Sequence, residues 1–367
     1  MSLYAHLVRP LLFRTDAERM HDRALLMAEA ASASRLLCST SAAWHVRHDE
    51  RLATAVAGLG FRHPLGLAAG FDKNGRAVRL WAALGFSHIE IGSVSAEASA
   101  GNPKPRLFRL PADRAIVVNY GLPNDGADRI AARLSNVQLG VPLGINIVNT
   151  NRGPEAKPES DDAVIDDYVR SIRRLHDRAD YLTLNLSCPN TSDGRAFVSD
   201  RCRVAALFDA VDNLAPSKPV FLKIAPFADA RALEAFLATA ERAHFVRGFA
   251  VNLPPGKPAG LSVPADRLAS MPGAVSGKPC ENAVNAAIVE LYRRIDRKRW
   301  RIIGAGGVFS AEDAYRKIRL GASLVQLLTA FVYEGPGVVR SICAGLGQLL
   351  ERDGLRQIED AVGVDVR

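Results

Sequence analysis

Asn185-Leu186-Ser187-Cys188-Pro189-Asn190-Thr191 sets a thiol between two carboxamides, directly after the apolar run Tyr181-Leu182-Thr183-Leu184. A thiolate can take a proton, and amide donors and acceptors can fix a planar polar ligand. The bland reading is a strand that runs into a turn with a half-buried cysteine. Other reactive residues also follow short apolar runs. In Gly66-Leu67-Ala68-Ala69-Gly70-Phe71-Asp72-Lys73 the small residues let a flat ligand approach the backbone, and Lys73 adds a charge at the rim. Ser93, Asn146, Lys223 and Asn252 close four further runs. A lysine inside an apolar strand needs an anionic partner. One such lysine could be a packed ion pair, but lysines and asparagines converging on one face mark a site.

Two glycine- and threonine-bearing ends complete the set. Gly304-Ala305-Gly306-Gly307 and Leu328-Thr329-Ala330 follow the seventh and eighth runs, where backbone N–H groups and a helix N-terminus can seat a phosphate. Ser310-Ala311-Glu312-Asp313 reads as the start of a helix. A planar cofactor with one phosphate, a lysine near its ring and no metal points to FMN, with the lysine stabilising a reduced, anionic flavin.

These residues need a frame that gathers strand ends. Strand-like runs occur at 64–69, 88–92, 142–147, 181–186, 220–225, 248–252, 301–304 and 323–328, with helical patterns such as 161–178 and 231–243 between most of them. Eight strands alternating with helices predict an α/β fold, a closed (β/α)8 TIM barrel with its chemistry at the strands' C-terminal ends. An open doubly wound sheet is the alternative, but the densest glycine cluster follows the seventh strand rather than the first.

Residues 1–50 form a separate helical extension, and residues 51–367 the FMN-binding barrel. In the extension Leu3, Leu7, Leu11 and Leu12 recur at helical spacing. Thr15-Asp16-Ala17-Glu18 reads as a capping box opening a helix with Met20, Ala24 and Met27 on one face. Two such helices either plug the barrel's base or form an apolar lip at a membrane surface. Residues 101–126 form a second insertion, placed over the barrel's mouth.

Composition narrows the partners. Hydrophobic content of 48% with 23% charged residues is that of a globular chain with a large core. Five cysteines without a CxxC pair indicate free thiols and a reducing compartment. The eight histidines form no metal-binding spacing, so no metal is expected. Net charge is +8, but the arginines are dispersed without a basic stripe and interleaved aromatics, which argues against nucleic acid. No apolar run reaches the roughly 18 residues of a membrane span. Arg9, Pro10 and Arg14 interrupt any signal-peptide core. The expected location is cytoplasmic, peripheral to a membrane.

Taken together, the motifs resemble the dihydroorotate dehydrogenases, FMN-dependent barrel enzymes of pyrimidine biosynthesis. The similarity runs from about Tyr4 to Gly337. It is most specific at Gly66 to Gly75, Ile89-Glu90-Ile91-Gly92-Ser93, Lys104-Pro105-Arg106-Leu107-Phe108-Arg109, Asn185 to Thr191, Phe221 to Pro226, Ile303 to Gly307 and Gly321 to Pro336. The N-terminal helices and Lys104 to Arg109 look like the membrane-associated, quinone-using class. The resemblance implies Cys188 as catalytic base, with Lys73 and Lys223 beside the reacting groups. It implies FMN contacts from Ala69, Gly70, Lys73, Ser93, Asn146 and Asn185, and from Lys223, Gly277, Gly306, Leu328 and Thr329; Gly307 joins them through the glycine cluster. Substrate contacts fall to Lys73, Asn185, Asn190 and Asn252, and to Asn119, Tyr120, Gly121 and Leu122 of the substrate loop. The implied partners are a dihydroorotate-like substrate and a quinone.

Departures from the family pattern gather at the substrate. Cys188 stands where the quinone-using class places serine. Val118-Asn119-Tyr120-Gly121 replaces an Asn-x-Met-Gly loop, and Leu122-Pro123-Asn124 looks like the soluble class. Val251-Asn252-Leu253 lacks an expected hydroxyl, and Asn146-Ile147-Val148 stands for Asn-Ile-Gly. The flavin site is therefore expected intact and the substrate site altered, with weak affinity for dihydroorotate. Two other readings stay open: a paralogue acting on another cyclic amide or unsaturated acid, and a flavin-binding protein without turnover.

Overall fold

The computed structural model describes residues 3–153, 155–157, 159–187 and 200–366. The eight apolar runs become eight parallel strands: β1 (Leu65–Leu67), β2 (His88–Val94), β3 (Leu143–Ile147), β4 (Tyr181–Asn185), β5 (Val220–Ile224), β6 (Val246–Val251), β7 (Arg301–Gly304) and β8 (Leu324–Leu327). Each pairs with the next in chain order and β8 returns to β1, which closes the barrel. Six of the eight are buried at every position. Such strands, covered by helices outside and packed inside, have no use for polar alternation. Most of the expected bounds hold within two residues. β2 continues to Val94, and β6 starts two residues early at Val246.

The barrel's base is filled from two sides. A hairpin, Thr54–Val56 with Leu59–Phe61, brings Val56 and Phe61 against Tyr181, Phe221, Ala250, Ile303 and Leu324. Two glycines make room for the rings. A Cβ at Gly144 would come within 2.1 Å of the Tyr181 ring, and one at Gly66 within 2.1 Å of the His88 ring.

The N-terminal helices therefore do not plug the base. α1 (Ala17–Ala33) and α2 (Arg35–His45) follow the short turns Tyr4–Val8 and Arg9–Leu12, and pack beside the mouth on the helix Val78–Ala83 and the strand Leu107–Leu110. α1 is capped by Asp16, which accepts from the Arg19 N–H at 2.9 Å, rather than by Thr15 as the capping-box pattern suggests. Glu18 is drawn away into a buried pair with Arg106 at 2.8 Å. The outer face of this extension exposes Leu3, Leu7, Leu11, Leu26, Met27, Leu36, Leu37 and Trp44. No described helix is long and apolar enough to cross a membrane.

Residues 101–126 do cover the mouth, as an antiparallel sheet of Leu107–Leu110 and Ala115–Val118. A third strand from far along the chain, Ala274–Gly277, pairs with Ala115–Val118.

Candidate functional site

Strand ends and the covering sheet enclose a chamber of about 1000 Å³. Ala69, Gly70 and Lys73 enter from the loop after β1, Ser93 from the end of β2, and Asn185, Lys223 and Asn252 from β4, β5 and the turn after β6. Val118, Tyr120, Gly121 and Leu122 form its roof. Parallel register sets Asn185 directly beside Lys223. A second chamber of about 470 Å³ continues past Leu328 to Gly306, Gly307 and Thr329, sharing Ala69, Lys223 and Asn252 with the first.

The wall is held by hydrogen bonds between strand ends. Asn185 Nδ2 donates to Ser93 Oγ at 3.0 Å, and the Ser93 hydroxyl donates to Asn146 Oδ1 at 2.5 Å. Asn252 Nδ2 donates to the Ser187 carbonyl at 3.2 Å, while the Ser187 hydroxyl donates to the Lys223 carbonyl at 3.2 Å. The chain is thus pinned up to Ser187. Cys188 and Asn190, the expected base and substrate contact, lie outside the described residues.

Lys223 is only 7% exposed, and no carboxylate pairs with its ammonium among the described residues. A buried cation in that position calls for an anionic ligand. Lys73 Nζ donates to the Gly70 carbonyl at 2.8 Å and sits 3.7 Å over the Tyr120 ring, a cation–π contact. Burial first, and the Arg106 charge second, pull the Lys73 pKa down to about 8. The Tyr120 hydroxyl is buried with no partner among the described residues, and burial pushes its pKa above the usual tyrosine value.

At the far end the N–H groups of Gly306, Gly307, Thr329 and Ala330 have no acceptor among the described residues. Four convergent N–H donors suit a phosphate. The glycines differ in purpose. A Cβ at Gly304 would meet the buried Lys317 stem at 2.7 Å and one at Gly307 would meet Glu281 at 2.4 Å, so both are packing positions. Gly306, at φ +78°, is the least crowded of the three, with a Cβ there 3.3 Å from Val284 and 3.5 Å from Leu253 of the chamber lining. Ser310 caps the next helix as expected, accepting from the Asp313 N–H at 3.3 Å.

Most expected residues meet on this wall, and three stand off it. Asn146 is fully buried behind Ser93. Gly277 lies behind the wall, where a Cβ would come within 2.4 Å of the Arg114 carbonyl. Asn119 turns away, its Oδ1 accepting from Asn102 Nδ2 at 3.1 Å. Sequence reasoning missed Ser276, whose hydroxyl is 2.6 Å from that of Thr329, and His21, Ile116 and Val332 on the opposite side.

Those last residues open onto a third space of about 1140 Å³ beneath the N-terminal helices, lined by Phe13, Met20, Ala24, Met27, Trp81 and Phe331. It shares His21, Phe71, Leu107, Ile116 and Val332 with the first chamber. Met20, Ala24 and Met27 do lie on one face, as their spacing predicts. Burial, reinforced by the Lys73 charge, lowers the His21 pKa to about 3, so this junction stays neutral at physiological pH. Arg109 is the cation of the passage, 4.6 Å over the Phe13 ring. An apolar passage thus runs beneath the N-terminal helices to the lysine-bearing chamber, with Met27 of the exposed face on its lining. Among the described residues no group of three His, Cys, Asp or Glu could hold a metal ion.

The family model described as dihydroorotate dehydrogenase matches residues 51–350. A quinone dihydroorotate dehydrogenase of Gloeobacter violaceus is 40% identical over 365 residues, covering 99% of each chain. One from Natronomonas pharaonis is 39% identical over 369 residues, covering all of both chains. Among solved structures, a dihydroorotate dehydrogenase of Eimeria tenella in complex with ferulenol superposes with a TM-score of 0.79, at 27% identity and 96% coverage of each chain.

Proposed function

We infer the chemistry of this site from one premise: the chain belongs to the dihydroorotate dehydrogenase family. It oxidises dihydroorotate to orotate, a step of pyrimidine biosynthesis, and passes the electrons to a quinone. The observation that carries the detailed reading is the joined pair of spaces, one bearing two lysines and two asparagines and one apolar, meeting at His21 and Phe71.

The cofactor in this reading is FMN. When bound, FMN would supply the hydride acceptor for the substrate and a two-electron carrier to the quinone. Gly306, Gly307, Thr329 and Ala330 hold its phosphate through backbone N–H groups, and Ala69, Gly70 and Ser93 line the space for its ring. Lys223 supplies the positive charge that a reduced flavin calls for. Asn185, Asn190, Asn252 and Lys73 hold the substrate, Lys73 facing its carboxylate under the loop of Tyr120, Gly121 and Leu122. Cys188 removes the proton from the substrate carbon next to the one that loses hydride. The covering sheet and the Tyr120 ring keep water from the reacting atoms.

Residues 1–50 form the acceptor's entrance, with the exposed leucines and Trp44 lying in a membrane surface and residues 51–367 carrying the flavin. Deletion of residues 1–40 tests this. Under anaerobic conditions dihydroorotate should still bleach the flavin, while reoxidation by quinone is lost or severely slowed. Equal damage to both half-reactions would make the extension purely structural. Failure of dihydroorotate to bleach the intact protein would return the choice to the paralogue or the flavin-binding reading.

Lys73 also makes orotate binding depend on pH. In the free site its pKa is held down to about 8, and a carboxylate ligand raises it. Below about pH 8 the lysine is already charged, and affinity is flat. Above that, binding must take up a proton, and affinity falls by up to about tenfold per pH unit. Titrations of orotate from pH 6.5 to 9.5 read this slope. Lys73→Gln should bind weakly with the slope removed, which separates Lys73 from the Cys188 thiol; an unchanged slope would assign it to another group.

A further inference from the structure

Glu90 is the acidic residue of the Ile89 to Ser93 motif, and nothing in the reaction described above uses it. It lies in mid-barrel on β2 and is fully buried. Four side chains donate to its carboxylate: Asn146 Nδ2 at 2.9 Å, Gln326 Nε2 at 2.9 Å, the Thr183 hydroxyl at 3.1 Å and the Tyr181 hydroxyl at 3.3 Å. Thr183 and Tyr181 donate from buried positions inside the barrel, and Gln326 also borders the second chamber. The fourth, Asn146, begins a chain that ends on the chamber wall.

We propose that Glu90 is a positioning residue that fixes the hydrogen-bond direction of the Asn146–Ser93–Asn185 chain, so that Ser93 meets the cofactor only as an acceptor. A carboxylate accepts and cannot donate, so Asn146 must turn its NH₂ toward Glu90. Its Oδ1 then faces Ser93, and the Ser93 hydroxyl spends its single proton there, at 2.5 Å. Ser93 Oγ is left with lone pairs alone. One accepts from Asn185 Nδ2 at 3.0 Å, and among the described residues nothing donates to the other, which is left for the chamber. Asn185 is set in turn, because its Oδ1 accepts from the Ser187 N–H at 3.2 Å. The polarity of three wall groups thus follows from one carboxylate that never reaches the chamber. The ligand group recognised at Ser93 is a ring N–H, which a flavin carries and a carbonyl edge lacks. A neutral residue at position 90 would let the Asn146 amide flip and the Ser93 hydroxyl turn toward the ligand.

This inference rests on the FMN reading, and its tests keep the two apart. FMN binding to apoprotein, followed by quenching of flavin fluorescence, should weaken roughly tenfold in Glu90→Gln, about the worth of one hydrogen bond. Ser93→Ala should weaken it similarly, and the double variant should be no worse than either single one, because Glu90 acts through Ser93. Thr183→Val removes a donor to Glu90 outside the chain and should leave FMN affinity unchanged. Additive losses in the double variant, or wild-type affinity in Glu90→Gln, would overturn the proposal; absence of FMN binding by the wild-type protein would overturn the cofactor reading instead. A neutron structure of the unmodified protein in D₂O gives a test that needs no variant to fold. The deuteron on Ser93 Oγ should point at Asn146, and one pointing into the chamber would sink the idea.

Discussion

Cys188→Ala is expected to slow bleaching of the flavin by dihydroorotate by roughly 10²–10⁴, the usual worth of a positioned base. FMN should remain bound, because the phosphate donors and the lysines stand on other strands. The segment leading to Cys188 is fixed by three contacts: Asn185 Oδ1 accepts from the Ser187 N–H, Asn252 donates to the Ser187 carbonyl, and the Ser187 hydroxyl donates to the Lys223 carbonyl. An ordinary thiol has a pKa of about 8.5, so only a few per cent is thiolate at neutral pH. The rate should therefore rise with pH up to that value, or to a lower one where neighbouring cations favour the thiolate. Cys188→Ser should lose this alkaline rise, since a serine hydroxyl does not ionise in the range. Stopped-flow absorbance under anaerobic conditions measures both effects. Full activity of Cys188→Ala would remove Cys188 from the mechanism.

The barrel is legible in the sequence because a strand buried on both faces leaves an uninterrupted apolar run, as at Val220–Ile224, and because Asn or Lys in or beside such a run is costly to bury for packing alone. The parts that stay hidden depend on distant residues. Ser276 reaches the phosphate end only because Ala274–Gly277 pairs with Ala115–Val118, a register that no local pattern encodes. His21 lines two chambers because α1 docks beside the mouth, and its own surroundings in sequence are those of a surface helix. Asn146 and Ser93 show the opposite failure. Both lie near strand ends, yet with the irregular register between Gly92 and Val94 only Ser93 lines the chamber, and a Cβ at Gly92 would lie 2.5 Å from the Asn146 carbonyl. The motif was readable, but not which of its polar groups faces the ligand.

The unmodified protein is expected to bind orotate weakly, and the double variant Val118→Asn with Leu253→Thr to bind it roughly 30-fold more tightly. Val118 and Leu253 both line the chamber. Each stands where the family resemblance implies a polar side chain, so two polar groups of the bound ring lose partners. At about 1 kcal/mol each the loss is roughly 30-fold, and larger if each costs more. Asn119 gives no rescue in the present arrangement, because Asn102 holds its carboxamide away from the chamber and its N–H donates to the Arg106 carbonyl at 2.8 Å. Among the described residues Tyr120 is placed to compensate. Its hydroxyl is buried with no partner among the described residues, and its ring is seated on Lys73, which faces the substrate carboxylate in this reading. Orotate dissociation constants for the unmodified protein, the double variant and Tyr120→Phe separate the cases. Weak binding that the double variant restores identifies an altered family site. Tight binding that Tyr120→Phe abolishes shows that the tyrosine hydroxyl has taken over the missing contacts. Tight binding indifferent to all three changes would show that neither position 118 nor position 253 touches the substrate.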